Sequence, residues 1–307
     1  MTSVLRLQAP AKLNLYLRVV AHRPDGYHEL ETLFERIDLA DELTFTPQAL
    51  GITVTCDAPT LGCGPENLVT QAALRLQQAC GVTQGAAIHL RKRVPIAGGL
   101  GGGSSDAATA LLGLNRLWTL KLSTPRLREL AAGLGSDVPF FLQPEAFAIG
   151  RGRGEQCEPL SGPLPILWHV LVVPPEGLST KAVYEGFDRS EKMGRSLTER
   201  GSSIRMCLHA LRNGSLGELA EGLQNDLEPE AIRRCPVIQE ICTSLRRSGC
   251  VGVLTSGSGP SVFGLCQDAA HAEQVTQRIQ ETGASAWRVR VVKTLSTLPG
   301  DHDEPVA

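Results

Sequence analysis

The sequence predicts a globular protein of mixed helices and strands, organised as one large domain or two packed domains. Its 307 residues exceed the size of most single domains. Some segments alternate apolar and polar residues with the period of two that is typical of strands, and others repeat apolar residues at helical spacing. Apolar residues make up 42% of the chain, which is enough to bury a core.

The first half of the chain alternates between these two patterns. Period-two alternation predicts strands at 4–7 and 13–19, and strand-like composition predicts a third strand at 30–37 and short strands at 52–55 and 87–90. Helical spacing predicts helices at 67–79 and 104–118, and Ser123-Thr124-Pro125 is typical of the start of a third helix. The Arg-Pro-Asp-Gly sequence at 23–26 predicts a turn.

The second half begins after a proline-rich segment, 158–165, which predicts a boundary between domains at 1–158 and 159–297. Strands are predicted at 166–173, 251–254, 262–265 and 287–292, and helices at 229–247 and 269–281. The polar segment 188–203 is predicted to be a mobile excursion, and 298–307 to be a polar tail.

The charge balance and the cysteines exclude several classes of protein. Lys and Arg number 30 against 32 Asp and Glu, so no overall positive field exists to hold nucleic acid or an anionic membrane. No apolar run is long enough to span a bilayer, and residues 1–10 lack the patterns of signal and transit peptides. The nine cysteines form no C-x-x-C pair and fit reduced thiols. We therefore expect a cytoplasmic protein without nucleic-acid or membrane partners.

A glycine-rich loop at 98–103 is the most informative segment. Five of its six residues are glycine, and two serines then open a predicted helix. Glycine lets the backbone approach a ligand closely and adopt positive φ angles. The N-terminus of the following helix offers free N–H groups and a positive dipole end to an anion. A phosphate-binding loop is favoured over a simple strand-to-helix turn, which does not require so many glycines.

Two common phosphate-binding motifs do not fit this loop. A Walker A motif requires lysine at position 104, where Ser104 stands. The dinucleotide motif G-x-G-x-x-G requires glycine at 104 or at 100, where Ser104 and Leu100 stand. The loop therefore belongs to another kind of nucleotide site.

Residues 95–108 resemble the ATP-binding loop of the GHMP kinases, a family that includes galactokinase, homoserine kinase and mevalonate kinase. The segments 10–15 (PAKLNL) and 255–263 (TSGSGPSVF) resemble the first and third motifs of the family, in the same order. The resemblance implies an α+β, two-domain GHMP kinase fold with the active site in the interdomain cleft. It also implies an enzyme that transfers a phosphoryl group from ATP to an alcohol.

Three further segments narrow the resemblance: 25–34 (DGYHELETLF), 135–140 (GSDVPF) and 225–228 (NDLE). They resemble the branch that phosphorylates the 2-hydroxyl of 4-diphosphocytidyl-2-C-methyl-D-erythritol, in the non-mevalonate route to isoprenoid precursors. Another small-molecule kinase of the family, such as a homoserine kinase, is one alternative. A non-catalytic nucleotide-binding regulator is another, although a regulator has no need for a catalytic base.

The resemblance assigns the catalytic roles to Lys12 and Asp137. Asp137 would accept the proton of the hydroxyl, and Lys12 would place a positive charge near that hydroxyl and the γ-phosphate. From the residues alone, Asp137 is equally suited to cap a helix, and a solvated surface charge is the favoured interpretation of Lys12.

The resemblance assigns nucleotide binding to two isolated residues and to the loop. Asn67 is equally suited to cap its helix, and Lys92 lies in a run of basic residues typical of a surface. We expect Mg²⁺ to arrive with ATP, because no cluster of metal ligands has the spacing of a cage. Two roles are open for Ser104 and Ser105, which are binding of phosphate oxygens or, through one hydroxyl, of Mg²⁺. The nucleotide-binding residues are Asn67, Lys92, Pro95, Gly98, Gly99, Leu100, Gly101, Gly102, Gly103, Ser104 and Ser105.

The resemblance assigns substrate binding to Asn14, Tyr27, His28 and Tyr184. The two tyrosines would sandwich a cytosine ring, and His28 would read its hydrogen-bonding edge. Asn14 lies on the same strand face as Lys12 and would bind the sugar alcohol. The alternative is that Tyr27 and His28 pack in a core and that Tyr184 lies on an amphipathic helix.

Two further glycine-rich segments and the assembly carry predictions of their own. Residues 255–259 either close over the phosphates, support the first loop or form a strained turn, and 150–154 predict a hairpin. We expect a monomer or a homodimer.

Overall fold

Two β-sheets organise the chain in a computed structural model that describes residues 4–192, 203–281 and 286–296. The larger sheet has the order β3-β4-β2-β1-β8, and the hairpin β5–β6 branches from β2. Its strands are β1 (Leu5–His22), β2 (His28–Gln48), β3 (Ile52–Cys56), β4 (Gly85–Arg91), β5 (Phe147–Arg151), β6 (Gln156–Pro159) and β8 (Gln224–Asn225).

The smaller sheet is antiparallel and has the order β11-β7-β10-β9. Its strands are β7 (Trp168–Val173), β9 (Gly252–Thr255), β10 (Val262–Cys266) and β11 (Arg288–Lys293). All four strands of the smaller sheet were predicted within a few residues, whereas the short β8 of the larger sheet was not. The hairpin predicted at 150–154 is confirmed as the β5–β6 connection.

The long hairpin of β1 and β2 corrects one prediction. The sequence predicts two early strands, whereas β1 is a single strand that pairs with β2 along its length. Its register shifts between Pro10 and Ala11 and at two later positions. Proline has no N–H for the ladder, and an irregularity at this point lets pairing continue beyond it.

Three helices of the first half share one hydrophobic core with the larger sheet. They are α1 (Leu68–Cys80), α2 (Gly102–Leu117) and α3 (Thr124–Ala132). All three were predicted. The predicted apolar face of α2 is buried at Ala107, Ala108, Leu111 and Leu114. The helix begins two residues earlier than predicted, at Gly102, directly after Gly101, which is its N-cap in a left-handed conformation.

Six helices lie in the described part of the second half: α4 (Thr180–Lys192), α5 (Ile204–Asn213), α6 (Leu216–Gly222), α7 (Glu228–Arg234), α8 (Val237–Arg247) and α9 (Ala269–Glu281). The single helix predicted at 229–247 is wrong, since α7 and α8 are separate. Pro236 follows Cys235, and a residue before proline is driven out of helical conformation.

Some predictions fall partly or wholly outside the described residues. Residues 188–192 of the predicted excursion are the last turn of α4, and 193–202 lie outside the described ranges. The tail at 298–307 also lies outside them. The boundary between 158 and 159 stays a prediction. Among the described residues, no helix combines the length and the apolar character that crossing a bilayer requires.

Candidate active site

A cleft of about 930 Å³ brings together residues from distant parts of the sequence. It runs from the glycine-rich loop, past β1, to the start of β2 and α4. Every predicted site residue except Ser105 lines it: Lys12, Asn14, Tyr27, His28, Asn67, Lys92, Pro95, Gly98, Gly99, Leu100, Gly101, Gly102, Gly103, Ser104, Asp137 and Tyr184.

Backbone and side-chain hydrogen bonds hold the glycine-rich loop in place. The N–H of Lys12 donates to the carbonyl of Leu100 at 3.0 Å, which fixes the loop to β1. On the other side, the hydroxyl of Ser256 donates to the carbonyl of Gly99 at 3.1 Å. The segment 255–259 therefore supports the first loop, as one of its three predicted roles required.

Two positions of this loop require glycine. Gly99 and Gly101 have φ angles of 76° and 69°, where residues with a side chain are strained. A Cβ at Gly101 would lie 2.9 Å from Cγ of Lys12 and 3.0 Å from Cζ of Phe141. The loop packs so closely on Lys12 that a methyl group does not fit.

The N-terminus of α2 is open to an anion. Gly101 caps the helix without a side-chain hydrogen bond. The N–H groups of Gly102, Gly103 and Ser104 belong to the first turn, which has no intrahelical acceptors. Ser104 lines the cleft, whereas Ser105, one position further along the helix, is fully buried away from it.

A buried lysine lies at the centre of the cleft. The Nζ of Lys12 is 2.5 Å from Oδ1 of Asn14, 2.9 Å from the carbonyl of Gly99 and 3.7 Å from Oδ2 of Asp137. Burial lowers the pKa of Lys12, and the charge of Asp137 opposes that shift. Lys12 is only 3% exposed, so the alternative of a solvated surface charge is wrong.

Asp137 faces this lysine from the opposite wall. It precedes the short 3-10 helix Val138–Leu142, yet its side chain makes no capping hydrogen bond. The carboxylate is 30% exposed, towards the cleft that it lines. The capping alternative is therefore wrong for Asp137.

Lys92 belongs to a buried charged trio. Its Nζ bonds to Oδ2 of Asp41, and to Oδ2 of Asp106 at 2.8 Å. Burial raises the pKa of Asp106 to about 7, against the favourable charge of Lys92. The Lys92 side chain is 8% exposed, so the predicted alternative of a surface charge is wrong. Both Lys92 and Asp106 reach the wall of the cleft.

Asn67 caps α1, as its alternative predicted. Its Oδ1 accepts from the N–H of Val69 at 2.9 Å, and its Nδ2 donates to the carbonyl of Gly62 at 2.8 Å. The residue also lines the cleft. Its role in nucleotide binding stays a prediction.

Aromatic and acidic side chains form the far end of the cleft. The ring of Tyr184 stacks on that of His28, with centroids 4.8 Å apart. The Nε2 of His28 lies 2.6 Å from Oδ1 of Asp188. Tyr27 is 53% exposed and faces the guanidinium of Arg153 at 4.8 Å, so it does not pack in a core. Burial, followed by the charge of Asp137, raises the pKa of Tyr184.

Sequence reasoning missed several residues that shape the cleft. Arg153 lies in the predicted hairpin at 150–154. Asp188 follows Tyr184 by one helical turn, a spacing that indicates a shared helix face. Asn225 belongs to the segment 225–228, whose sequence alone gives the residue no separate role. Its Nδ2 donates to the carbonyls of Thr255 at 2.7 Å and Gly257 at 2.8 Å, so it holds the supporting loop.

Comparisons with known proteins find similarity along both halves of the chain. The family model described as "GHMP kinases N terminal domain" matches residues 67–144, and "GHMP kinases C terminal" matches residues 207–285. A 4-diphosphocytidyl-2-C-methyl-D-erythritol kinase of Pelotomaculum thermopropionicum is 45% identical over 91% of this chain and 95% of its own length. The protein of the same name from Moorella thermoacetica is 44% identical over 91% of this chain and 96% of its own length.

Solved structures give the same picture at the level of the fold. A crystal structure of 4-(cytidine 5'-diphospho)-2C-methyl-D-erythritol kinase superimposes with a TM-score of 0.77 at 36% identity, covering 94% of this chain and 98% of its own. A homoserine kinase from Cytophaga hutchinsonii superimposes with a TM-score of 0.74, covering 97% of this chain and 96% of its own. At 19% identity, the second comparison shows a shared fold alone.

Proposed function

The chain belongs to the GHMP kinase family, and from this premise we propose that it phosphorylates 4-diphosphocytidyl-2-C-methyl-D-erythritol. The reaction transfers the γ-phosphoryl group of ATP to the 2-hydroxyl of that substrate and yields ADP and the 2-phosphate. It is a step in the non-mevalonate supply of isoprenoid precursors. The names of the relatives and the cleft both support this assignment.

The position of Lys12 and Asp137 carries the proposal. The two side chains face each other, 3.7 Å apart, between two chemically different ends of one cleft. One end offers backbone N–H groups at the start of α2, which suit phosphate. The other end offers the rings of His28 and Tyr184, which suit a nucleobase. A phosphoryl donor and a base-containing acceptor would meet at the charged pair.

Asp137 acts as the general base in this proposal. Its carboxylate reaches the cleft without an internal capping bond and can accept the proton of a substrate hydroxyl. Lys12 supplies positive charge beside it, which favours the alkoxide that forms as the proton leaves. The contacts from Lys12 to Asn14 and Gly99 hold its ammonium in one place. Catalysis then consists mainly of positioning and charge compensation.

The residues beside the phosphate end fit a magnesium ion. Asp106 lines the cleft, and its Oδ1 is buried without a hydrogen-bond partner among the described residues. Ser104 offers a hydroxyl nearby, in the first turn of α2. Mg²⁺ prefers oxygen ligands of this kind together with substrate phosphates and water. When bound, the ion would neutralise charge on the phosphates, and Asp106 and Ser104 are the residues that would hold it.

An ADP-release assay with three arms tests the function. We expect turnover with 4-diphosphocytidyl-2-C-methyl-D-erythritol and none with homoserine or without acceptor. Turnover with homoserine alone would make the protein a kinase of another branch. Nucleotide binding without turnover in any arm would favour a regulator. The cytoplasmic location and the monomeric or homodimeric state remain predictions.

A further inference from the structure

One helix holds His28 from two directions. Tyr184 and Asp188 are four residues apart on α4, so they share one face of the helix. Tyr184 covers the face of the His28 ring, and Asp188 contacts its edge at Nε2. His28 itself is the first residue of β2 and is 8% exposed. Two side chains of α4 therefore hold the ring at its face and at Nε2, and the ring of His22 at the end of β1 contacts it edge-on with centroids 5.1 Å apart.

The contact between His28 and Asp188 is a hydrogen bond. His22 lies close by, and donor atoms of His22, His28 and Asp188 all fall within 4.8 Å of one another. Two ligands of one zinc ion, at bond lengths near 2.1 Å, stand about 3.3 Å apart. The 2.6 Å between Nε2 of His28 and Oδ1 of Asp188 is too short for that arrangement. It matches a charge-assisted hydrogen bond.

This bond selects one tautomer of the imidazole. An ionised carboxylate only accepts hydrogen bonds, so Nε2 of His28 must carry a proton. In the neutral ring, Nδ1 then holds the lone pair and acts as an acceptor. Carboxylates that orient metal-binding histidines work in the same way.

We propose that Asp188 is a positioning residue that makes His28 selective for cytosine. With the proton fixed on Nε2, Nδ1 accepts a hydrogen bond from the 4-amino group of the base. Uracil carries a carbonyl at that position, whose lone pairs would face the lone pair of Nδ1. This inference rests on the proposed function, since it assumes a cytidine-containing substrate.

The substitution Asp188→Asn tests the proposal in a kinetic assay. An amide can donate or accept, so the ring is no longer confined to one tautomer. We expect the KM for the cytidine substrate to rise about tenfold, which corresponds to about 1.4 kcal/mol, and the preference over the uridine analogue to fall by a similar factor. The kcat and the KM for ATP should stay within about twofold. Equal preference in parent and variant would overturn the proposal.

Glu185→Gln is a matched control. Glu185 follows Tyr184 directly on α4 and also lines the cleft. Its Oε1 lies 4.0 Å from Nζ of Lys181. Its substitution removes the same charge from the same helix without touching the His28 ring. We expect parent-like selectivity. A loss equal to that of Asp188→Asn would show that general electrostatics, and not the tautomer, sets the preference.

A spectroscopic measurement separates this proposal from the proposed function. Long-range ¹⁵N–¹H correlation of the imidazole in the ligand-free protein should show His28 protonated at Nε2 in the parent, and a mixture in Asp188→Asn. A parent protonated mainly at Nδ1 overturns the tautomer assignment whatever the substrate is. If the parent has the expected tautomer but does not turn over the cytidine substrate, the proposed function is wrong, and so is the proposed recognition of cytosine by His28.

A double-mutant cycle completes the test. If Asp188 acts through His28, Asp188→Asn should cause no further loss of selectivity in a His28→Gln background. An undiminished effect in that background would overturn the positioning role. Asp188 is 24% exposed at the side chain, and thermal melting of each variant establishes that it folds.

Discussion

The two ends of the cleft recognise their ligands with different parts of the chain. At the phosphate end, backbone N–H groups and glycines form the surface. The contacts that fix this loop are made by the N–H of Lys12 and the hydroxyl of Ser256. At the base end, the rings of His28 and Tyr184 and the carboxylate of Asp188 form the surface. Backbone groups are the same in every residue, so they suit phosphate, which every nucleotide carries. Side chains have individual donors and acceptors, so they can tell one base from another.

Substitutions at the two ends should therefore act by different physical causes. At the phosphate end, an added methyl group blocks space or strains the backbone. At the base end, a side chain can be exchanged for one of similar shape but different hydrogen bonding.

Asp137→Asn should cause the largest loss, because Asp137 lies between the ends and belongs to neither. The amide keeps the shape of the side chain but cannot accept the hydroxyl proton as a base. We expect kcat to fall by about 10²–10⁴-fold, with little change in the KM for either substrate. Steady-state kinetics with each substrate varied in turn measures this. Near-normal turnover would remove Asp137 from the mechanism.

Gly101→Ala should damage the phosphate end. Its φ of 69° strains any side chain, and the new Cβ would lie 2.9 Å from Cγ of Lys12. We expect kcat/KM for ATP to fall about 100-fold, a loss of about 2.7 kcal/mol, because the loop and the lysine are both displaced. Isothermal titration with a non-hydrolysable ATP analogue would report the share that is lost in binding.

Gly81→Ala is the control for backbone strain. Gly81 caps the C-terminus of α1 with a similar φ of 63°, but no atom lies within 4 Å of the added Cβ. This variant should lose thermal stability and keep the parent affinity for ATP. If both variants lost affinity equally, strain and not contact with Lys12 would explain the effect.

The two ends differ in how far sequence alone could predict them. The glycine-rich loop and the helix after it are contiguous, so the phosphate end could be predicted from local pattern. The partners of Lys92 could not, because Asp41 comes from another strand and only packing buries the three charges together. The same holds for Asp188, whose contact with His28 joins residues 160 positions apart.

The two wrong predictions of secondary structure, in β1 and at the junction of α7 and α8, each involve a proline. Pro10 interrupts the alternation of β1, but strand pairing with β2 continues past it. Pro236 lies within an apolar pattern that looked continuous, and its ring separates α7 from α8. The first proline is accommodated by tertiary pairing, and the second has no such partner. Sequence pattern alone does not distinguish the two cases.

Tyr184→Ala should weaken the base end selectively. The substitution removes the aromatic ring that now stacks on His28, with centroids 4.8 Å apart, and that is proposed to stack on the cytosine ring of the substrate. Stacking of an aromatic side chain with a base is worth about 1–3 kcal/mol, so we expect the KM for the cytidine substrate to rise about 10–100-fold. Tyr184→Phe keeps the ring and should stay close to the parent. An altered affinity for ATP in the alanine variant would show that the two ends are not independent.

Asp106→Asn tests the phosphate end through stability alone, measured without nucleotide or Mg²⁺, because the variant also loses a proposed ligand of that ion. Its effect on stability should be the smallest of these changes and is visible in the pH dependence. Burial raises the pKa of the Asp106 carboxyl from 3.8 to about 7. Between these pH values the folded protein holds a proton that the unfolded chain releases, so this group lowers the parent's stability as pH rises from about 4 to about 7. Asparagine does not titrate. The free energy of unfolding of Asp106→Asn relative to the parent should therefore increase from pH 5 to pH 8 in urea titrations.

Glu129→Gln, at a side chain that is 64% exposed, provides the control for loss of a carboxylate. A difference between Asp106→Asn and the parent that is constant with pH would mean that Asp106 stays ionised beside Lys92, and that the phosphate end rests on a permanent ion pair.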